Sequence, residues 1–290
     1  MISRGTIIAG LLVLELAIIC EAVIAVQGGG QPFHHSVAQA ATGGRLAEGG
    51  EHRVFDGGAH PALTVDIGYA DLTIVARAGS QIDVALSRSH GLFQAREPIE
   101  AEKDGDTVRI TATDEPGWTV GDSRMVTVLV PADTQVTVVK GGDIKASGLR
   151  AASSFNSVGD GTVTVEDYNA PSLHATSNGR ISLVEVVAAR LDATSGDGRV
   201  EGSGLQVRNG SIESDGRVTL GFASGTDTVI NAETDDGKVS ASGFAAGATS
   251  KGDSDNSDED ASSQTVRVGA GDGRLDVHTS DGNIRLTQEG

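Results

Sequence analysis

With a single cysteine, Cys20, in 290 residues, the chain has no disulfide framework and no cysteine-based zinc site open to it. Aromatic residues make up only 3% and there is one tryptophan, so the core must be filled with Val, Leu, Ile and Ala. Basic residues are outnumbered, 22 Lys and Arg against 40 Asp and Glu, giving a net charge of -18 and a pI near 4.6. Phosphate backbones are held by clustered Lys and Arg, so this balance argues against a nucleic-acid partner and favours a self-repelling, soluble exterior. No nucleophile elbow, Walker loop, His-Glu-x-x-His or Ser/His/Asp pattern occurs, and no catalytic residue or cofactor is expected. Glycine, by contrast, is abundant at 40 residues. Little ring volume and much glycine suit a stacked β-solenoid with a thin interior.

The one long apolar run is N-terminal. Thr6 to Val26 gives 21 mostly apolar residues behind Arg4, close to the ~20 that a helix needs to span hydrocarbon. No basic residue follows until Arg45, which predicts an inside N-terminus and an extracytoplasmic body. Residues 1–27 are read as a membrane anchor. A cleaved signal is the competing reading, because Val23-Ile24-Ala25 is a passable cleavage site. A lipoprotein is disfavoured, since Ile19 stands where a small residue should precede Cys20. Glu15 and Glu21 interrupt the run, and an acidic group near a bilayer centre costs roughly 2.5–3.5 kcal/mol. Glu15 is read as tolerated within the segment, the alternative being a pair with a polar group on a partner helix. Residues 28–50 carry Gly28-Gly29-Gly30, Gly43-Gly44 and Gly49-Gly50 and are read as a flexible tether. His34-His35 lies there without a third ligand or a rigid frame and is not expected to bind metal.

Period-two alternation begins after the tether. Leu63-Thr-Val65-Asp-Ile67, Leu72-Thr-Ile74, Ile82-Asp-Val84, Val108-Arg-Ile110 and Val126-Thr-Val128-Leu-Val130 predict strands, punctuated by Gly68-Tyr69, Pro116-Gly117 and Pro131. Residues 51–135 are read as a β entry module, with Trp118 a plug over the end of the core. From Val136 a Gly-x-apolar beat sets in, with its glycines at 142, 161, 179, 198, 216, 237, 273 and 282. Their spacings of 19, 18, 19, 18, 21, 36 and 9 residues describe a coil of about 18–20 residues holding two strand-turn units. Residues 136–290 are therefore read as a β-strand repeat solenoid, with coils about 4.8 Å apart and a length of about 40 Å. Ile181 and Leu183, Val218 and Leu220, Leu173 and Ala175, and Leu191 and Ala193 are expected inside, Ser182 and Thr219 outside. The turn glycines are expected to supply positive φ. The last coil is expected to leave an open edge at the C-terminal end, covered by residues 287–290 or by end-to-end self-association.

Bases follow the turn glycines (Arg180, Arg199, Arg217, Lys238, Arg274) and acids precede them (Asp197, Asp215, Asp236, Asp272). On stacking these predict two adjacent columns of opposite charge, a solvated ladder relieving repulsion between coils. The other reading is a binding stripe for an anionic or glycan ligand.

The repeats Thr176 to Leu183 and Thr279 to Leu286, together with Asp104-Gly-Asp-Thr-Val-Arg-Ile110 and Val126-Thr-Val-Leu-Val-Pro131, carry a resemblance to the "putative adhesin" family of bacterial β-strand-repeat proteins. It covers roughly Leu63 to Leu286. The resemblance implies a right-handed β-solenoid on a cell surface or periplasmic face and brings no catalytic residues with it.

Asp253, Asp255, Asp258 and Asp260 lie at calcium-like intervals within an acidic insert, residues 250–263. The insert lacks the turn glycine and closing bidentate Glu of an EF-hand loop, so Ca²⁺ is only a weak candidate there. His52, His60, His90, His174 and His278 are scattered singly. Three functions are compatible with this pattern. A non-enzymatic surface adhesion or interaction scaffold, binding an envelope protein or a glycan, comes first. A sensor or partner-docking domain coupled through residues 6–26 is second, and a carbohydrate-active enzyme, which would need two carboxylates in one groove, is third.

Overall fold

The computed structural model describes residues 50–88, 99–112, 124–150, 154–245, 249–251 and 262–289. All of them belong to the compact unit Leu46–Gly290. The predicted membrane segment 6–26, the tether, Trp118 and the acidic Asp253 to Asp260 cluster lie outside the described residues. Among the described residues there is no helix long and apolar enough to cross a membrane.

The described chain is all β. Seven strands precede the regular repeat: β1 (Gly50–Asp56), β2 (Ala62–Asp66), β3 (Asp71–Arg77), β4 (Gln81–Arg88), β5 (Ile99–Asp104), β6 (Thr107–Ala112) and β7 (Arg124–Pro131). The repeat runs through β8 (Gln135–Gly141), β9 (Ile144–Ser147), β10 (Ser154–Gly159), β11 (Val163–Ser177), β12 (Ile181–Ser195), β13 (Val200–Ser214) and β14 (Val218–Phe222). It finishes with β15 (Thr228–Thr234), β16 (Val239–Ser242), β17 (Thr249–Lys251), β18 (Ser262–Val268), β19 (Arg274–Thr279) and β20 (Ile284–Gln288). Hydrogen bonds join all twenty into one nearly closed, solenoid-like sheet.

The coil is clearest in β12, where it has three legs and not the expected two strand-turn units. Ile181 and Leu183 point inward on a first leg, Val186 and Ala188 on a second, and Leu191, Ala193 and Ser195 on a third. Alternation slips by one residue at each change of leg, because the chain must turn a corner while keeping its apolar side inward. The columns fall at the predicted spacing. On the first leg Leu72, Ile144, Val163, Ile181, Val200, Val218, Ile284 and Val239 are successive neighbours. On the third leg Leu63, Val136, Phe155, Leu173 and Leu191 are successive neighbours and almost wholly buried. Full burial of each such side chain contributes about 1.5–3 kcal/mol, which is how a core with few rings closes.

The two corners of the first leg are built differently, and the expected role of the turn glycines is corrected here. Gly161, Gly179, Gly198, Gly216, Gly237 and Gly282 do not have positive φ. They are glycine because coils approach too closely for a side chain. A Cβ on Gly179 would stand 2.6 Å from Gly161 O, and one on Gly216 would stand 2.1 Å from Gly198 O. Left-handed backbone occurs instead where the first leg meets the second, in the stacked residues Gly148 (φ 78°), Asp167 (φ 50°), Glu185 (φ 54°) and Gly204 (φ 64°).

Both ends of the stack are interleaved. At one, β2 and β3 lie between β6/β7 and β8/β9, so residues 51–135 share their sheets with the repeat. At the other, β19 lies between β13 and β15, and β20 between β14 and β16. The expected open edge at the last strand is therefore overturned: Ile284 and Leu286 are buried inside the stack. Chain reversal covers the outer coils, with β4 antiparallel to β7, β5 to β6, β18 to β15 and β17 to β18. Such reversal breaks the run of parallel strands that an end would otherwise offer for pairing.

Candidate functional site

The tight-turn edge, where each third leg passes into the next first leg, collects most of the residues singled out by the repeat. Its inner support is a polar column. Ser177, Ser195, Ser214, Thr279 and Thr234 are neighbours in successive coils and are buried. Each donates its hydroxyl to the carbonyl of a turn glycine in the adjoining coil. Ser195 Oγ reaches Gly179 O at 2.6 Å, Ser214 Oγ reaches Gly198 O at 3.3 Å and Thr234 Oγ1 reaches Gly282 O at 2.8 Å; Ser177 and Thr279 do the same to Gly161 and Gly216. Ser177 and Ser214 also accept the amide of the glycine two residues on, at 3.0 and 3.2 Å. These carbonyls lie in partly buried turns and need partners, and this column supplies them. The role of these hydroxyls is not apparent from the repeat alone, although each stands two or three residues before its turn glycine.

The outer layer of the edge changes sign along the stack. Asp71, Asp143, Thr162, Arg180, Arg199, Arg217, Asn283 and Lys238 occupy equivalent positions, each preceding a column residue of the first leg. The carboxylates at one end accept backbone amides: Asp143 N donates to Asp71 Oδ1 at 3.1 Å, and Thr162 N to Asp143 Oδ1 at 2.7 Å. Three arginines follow in consecutive coils. The expected ladder of turn acids against turn bases does not form: among the described residues Asp197, Asp215, Asp236 and Asp272 make no ion pair. The arginines turn to a strand carboxylate instead. Glu201 pairs with Arg180 through one oxygen and with Arg199 Nε at 2.7 Å through the other. Arg274 belongs to a different corner, against Asp276 at 2.9 Å.

Arg180, Asp197, Gly198, Arg199, Glu201 and Arg217 line an open concavity of about 560 Å³. Arg217 has no ion pair among the described residues, and Arg180 Nε is buried without an acceptor. Guanidinium groups in coils about 4.8 Å apart repel one another. Here Glu201 and Asp197 offset only part of that charge.

The remaining sequence candidates do not converge. Among the described residues no group of three or more His, Cys, Asp and Glu is placed to hold a metal ion. His174 meets Thr176 Oγ1 at 3.5 Å, and His278 stands 3.6 Å from Asp235. His52 and His60 lie apart from both. On the third leg, Arg190 is hydrogen-bonded to Asp192 at 2.6 Å, and that bond and charge raise its pKa above the usual value. This guanidinium stays charged at every physiological pH.

Stacked three-leg coils held by a hydroxyl column define a β-solenoid domain with an arginine-lined turn edge. The chain belongs to the Toastrack DUF4097 family, whose sequence model matches residues 60–287. Similar solved structures include a "putative cell adhesion protein" from Clostridium sporogenes (14% identity, 83% of this chain and 99% of that one, TM-score 0.35). Another is a "putative adhesin" from Bacteroides fragilis (8% identity, 84% and 98%, TM-score 0.38). A third is a "putative lipid binding protein" from Parabacteroides distasonis (11% identity, 84% and 98%, TM-score 0.36). No curated protein matches the sequence.

Proposed function

We propose that the protein is a non-enzymatic interaction scaffold, tethered to a membrane by residues 6–26 and displaying its β-solenoid on the extracytoplasmic side. The observation that carries this reading is how the polar groups of the repeat are used. The buried hydroxyls donate to turn-glycine carbonyls in the adjoining coil, and Asp71 and Asp143 accept backbone amides there, so their chemistry is consumed in holding coils together. What remains outward is a periodic surface broken by the arginine concavity, an arrangement suited to presenting one face to a large partner. The N-terminal apolar run with its single flanking arginine supports the tethering.

The intact chain, tagged at its C-terminal end and extracted from membranes, tests partner and location together. Retention in the membrane pellet after an alkaline wash, loss of the body to protease added outside the cell, and loss of attachment on deletion are the expected results. Release by the wash overturns the anchor, and unchanged attachment overturns the adhesive role. Capture of a membrane protein that depends on Glu15 would replace the scaffold with a docking domain coupled through the helix.

A further inference from the structure

We propose that the Arg180, Arg199 and Arg217 concavity is a binding site for the carboxylate or sulfate groups of an acidic polysaccharide, an inference that rests on the scaffold reading and names its ligand. Three guanidinium groups stand at equivalent positions of consecutive coils, against two carboxylates, Glu201 and Asp197, in the same concavity. The site is thus locally positive in a chain whose net charge is -18. Stacked like charges are destabilising, and an anion seated among them removes that cost.

Donors are also left over. The Arg217 guanidinium is exposed and makes no ion pair among the described residues. Planar guanidinium groups match carboxylate and sulfate oxygens in pairs. Beside the arginines, Thr164, Ser182, Glu201 and Thr219 form one outward, half-exposed column along the first leg. The three hydroxyls of this column provide donors and acceptors that sugar hydroxyls need, and that a bare anion would leave unused. The concavity is open and its lining comes from three successive coils, so a chain can lie across them and place one acidic group per arginine. Glu201 competes with that ligand, since it already holds Arg180 and Arg199.

The test uses the intact chain in detergent, titrated calorimetrically at low salt with dextran sulfate, polygalacturonate, neutral dextran, polyglutamate and inorganic phosphate. Binding to the two acidic polysaccharides is expected, with none to neutral dextran. Arg217→Gln should weaken it about ten-fold, the worth of one charge-assisted contact, with an unchanged melting curve because Arg217 makes no ion pair among the described residues. Glu201→Gln should strengthen binding, and Arg190→Gln should leave it unaltered. No binding to either acidic polysaccharide, or equal affinity of wild type and Arg217→Gln, overturns the site. Binding of polyglutamate or free phosphate at least as tight as that of the polysaccharides overturns the ligand class. Attachment of cells separates this site from the broader reading. Deletion that reduces attachment while Arg217→Gln does not leaves the scaffold standing without the site. Polysaccharide binding in a protein whose deletion changes no attachment leaves the site standing without the adhesive role.

Discussion

A methyl group placed on Gly198 would stand 1.9 Å from the carbonyl oxygen of Gly179 in the adjoining coil. Backbone on one side and backbone on the other leave no flexible atom to move aside. Gly198→Ala should therefore lower stability by about 1–3 kcal/mol or more, the range for overpacking. Two residues earlier, a Cβ on Gly196 meets nothing nearer than 3.6 Å, and Gly196→Ala should stay within about 0.5 kcal/mol of wild type. Urea midpoints of the two variants check this, and equal midpoints would remove the steric account of the turn.

Ser195 is buried and holds Gly179 O at 2.6 Å. Ser195→Ala should cost about 1 kcal/mol, the penalty for a partly buried carbonyl left without its donor. Ser195→Thr should be far milder, because Thr279 and Thr234 already fill the same column in other coils. Thermal melts that rank alanine and threonine alike would show that the hydroxyl is not what the position requires.

Glu185 adopts φ 54° between Asp167 and Gly204 in the stacked corner. A side chain in this left-handed region costs about 1–2 kcal/mol, partly offset by the chain entropy that glycine loses on folding. Glu185→Gly should raise the denaturation midpoint by an amount worth up to about 1 kcal/mol. Asp167 is a poorer choice for the same change, since Arg150 pairs with its carboxylate at 2.5 Å. A lower midpoint for Glu185→Gly would mean that the side chain supports the corner in another way.

Removal of residues 274–290 should not trim the stack but split it. Without β19 and β20, β15 and β16 lose the strands that join them to β13 and β14. The expected result is protease sensitivity across residues 228–251 and a broadened melting transition. A truncated chain that melts as sharply as the whole would contradict the interleaved order.

The turn spacing, the inward columns and the length of the coil could all be read from Gly-x-apolar triplets, because a close-packed coil fixes which residues face in. Three features could not. Left-handed backbone falls at Asp167 and Glu185, residues with no sequence mark of it, while the turn glycines owe their identity to neighbours that are remote in sequence. The place of β20 was hidden because Ile284 and Leu286 fit beside Val218 and Leu220 as well as beside Val239 and Ala241. The spacing of 21 between Gly216 and Gly237 joins coils that are not adjacent, so its departure from 18 or 19, with the 36 and 9 that follow it, was the visible trace. At the candidate site the arginines were legible, but their partner was not, since Glu201 comes from a strand and not from a turn.

The interleaved ends also decide where such a molecule can change size. Each terminal coil is locked between strands from another part of the chain, so duplication or loss of a coil there would break two sets of pairings at once. Between β9 and β14 the coils follow one another in sequence order, and a segment of one period can be copied in register without touching either end. Among the described residues the middle of the stack is thus where evolution or engineering can lengthen the display surface by whole coils, and it is there that Arg180, Arg199 and Arg217 stand.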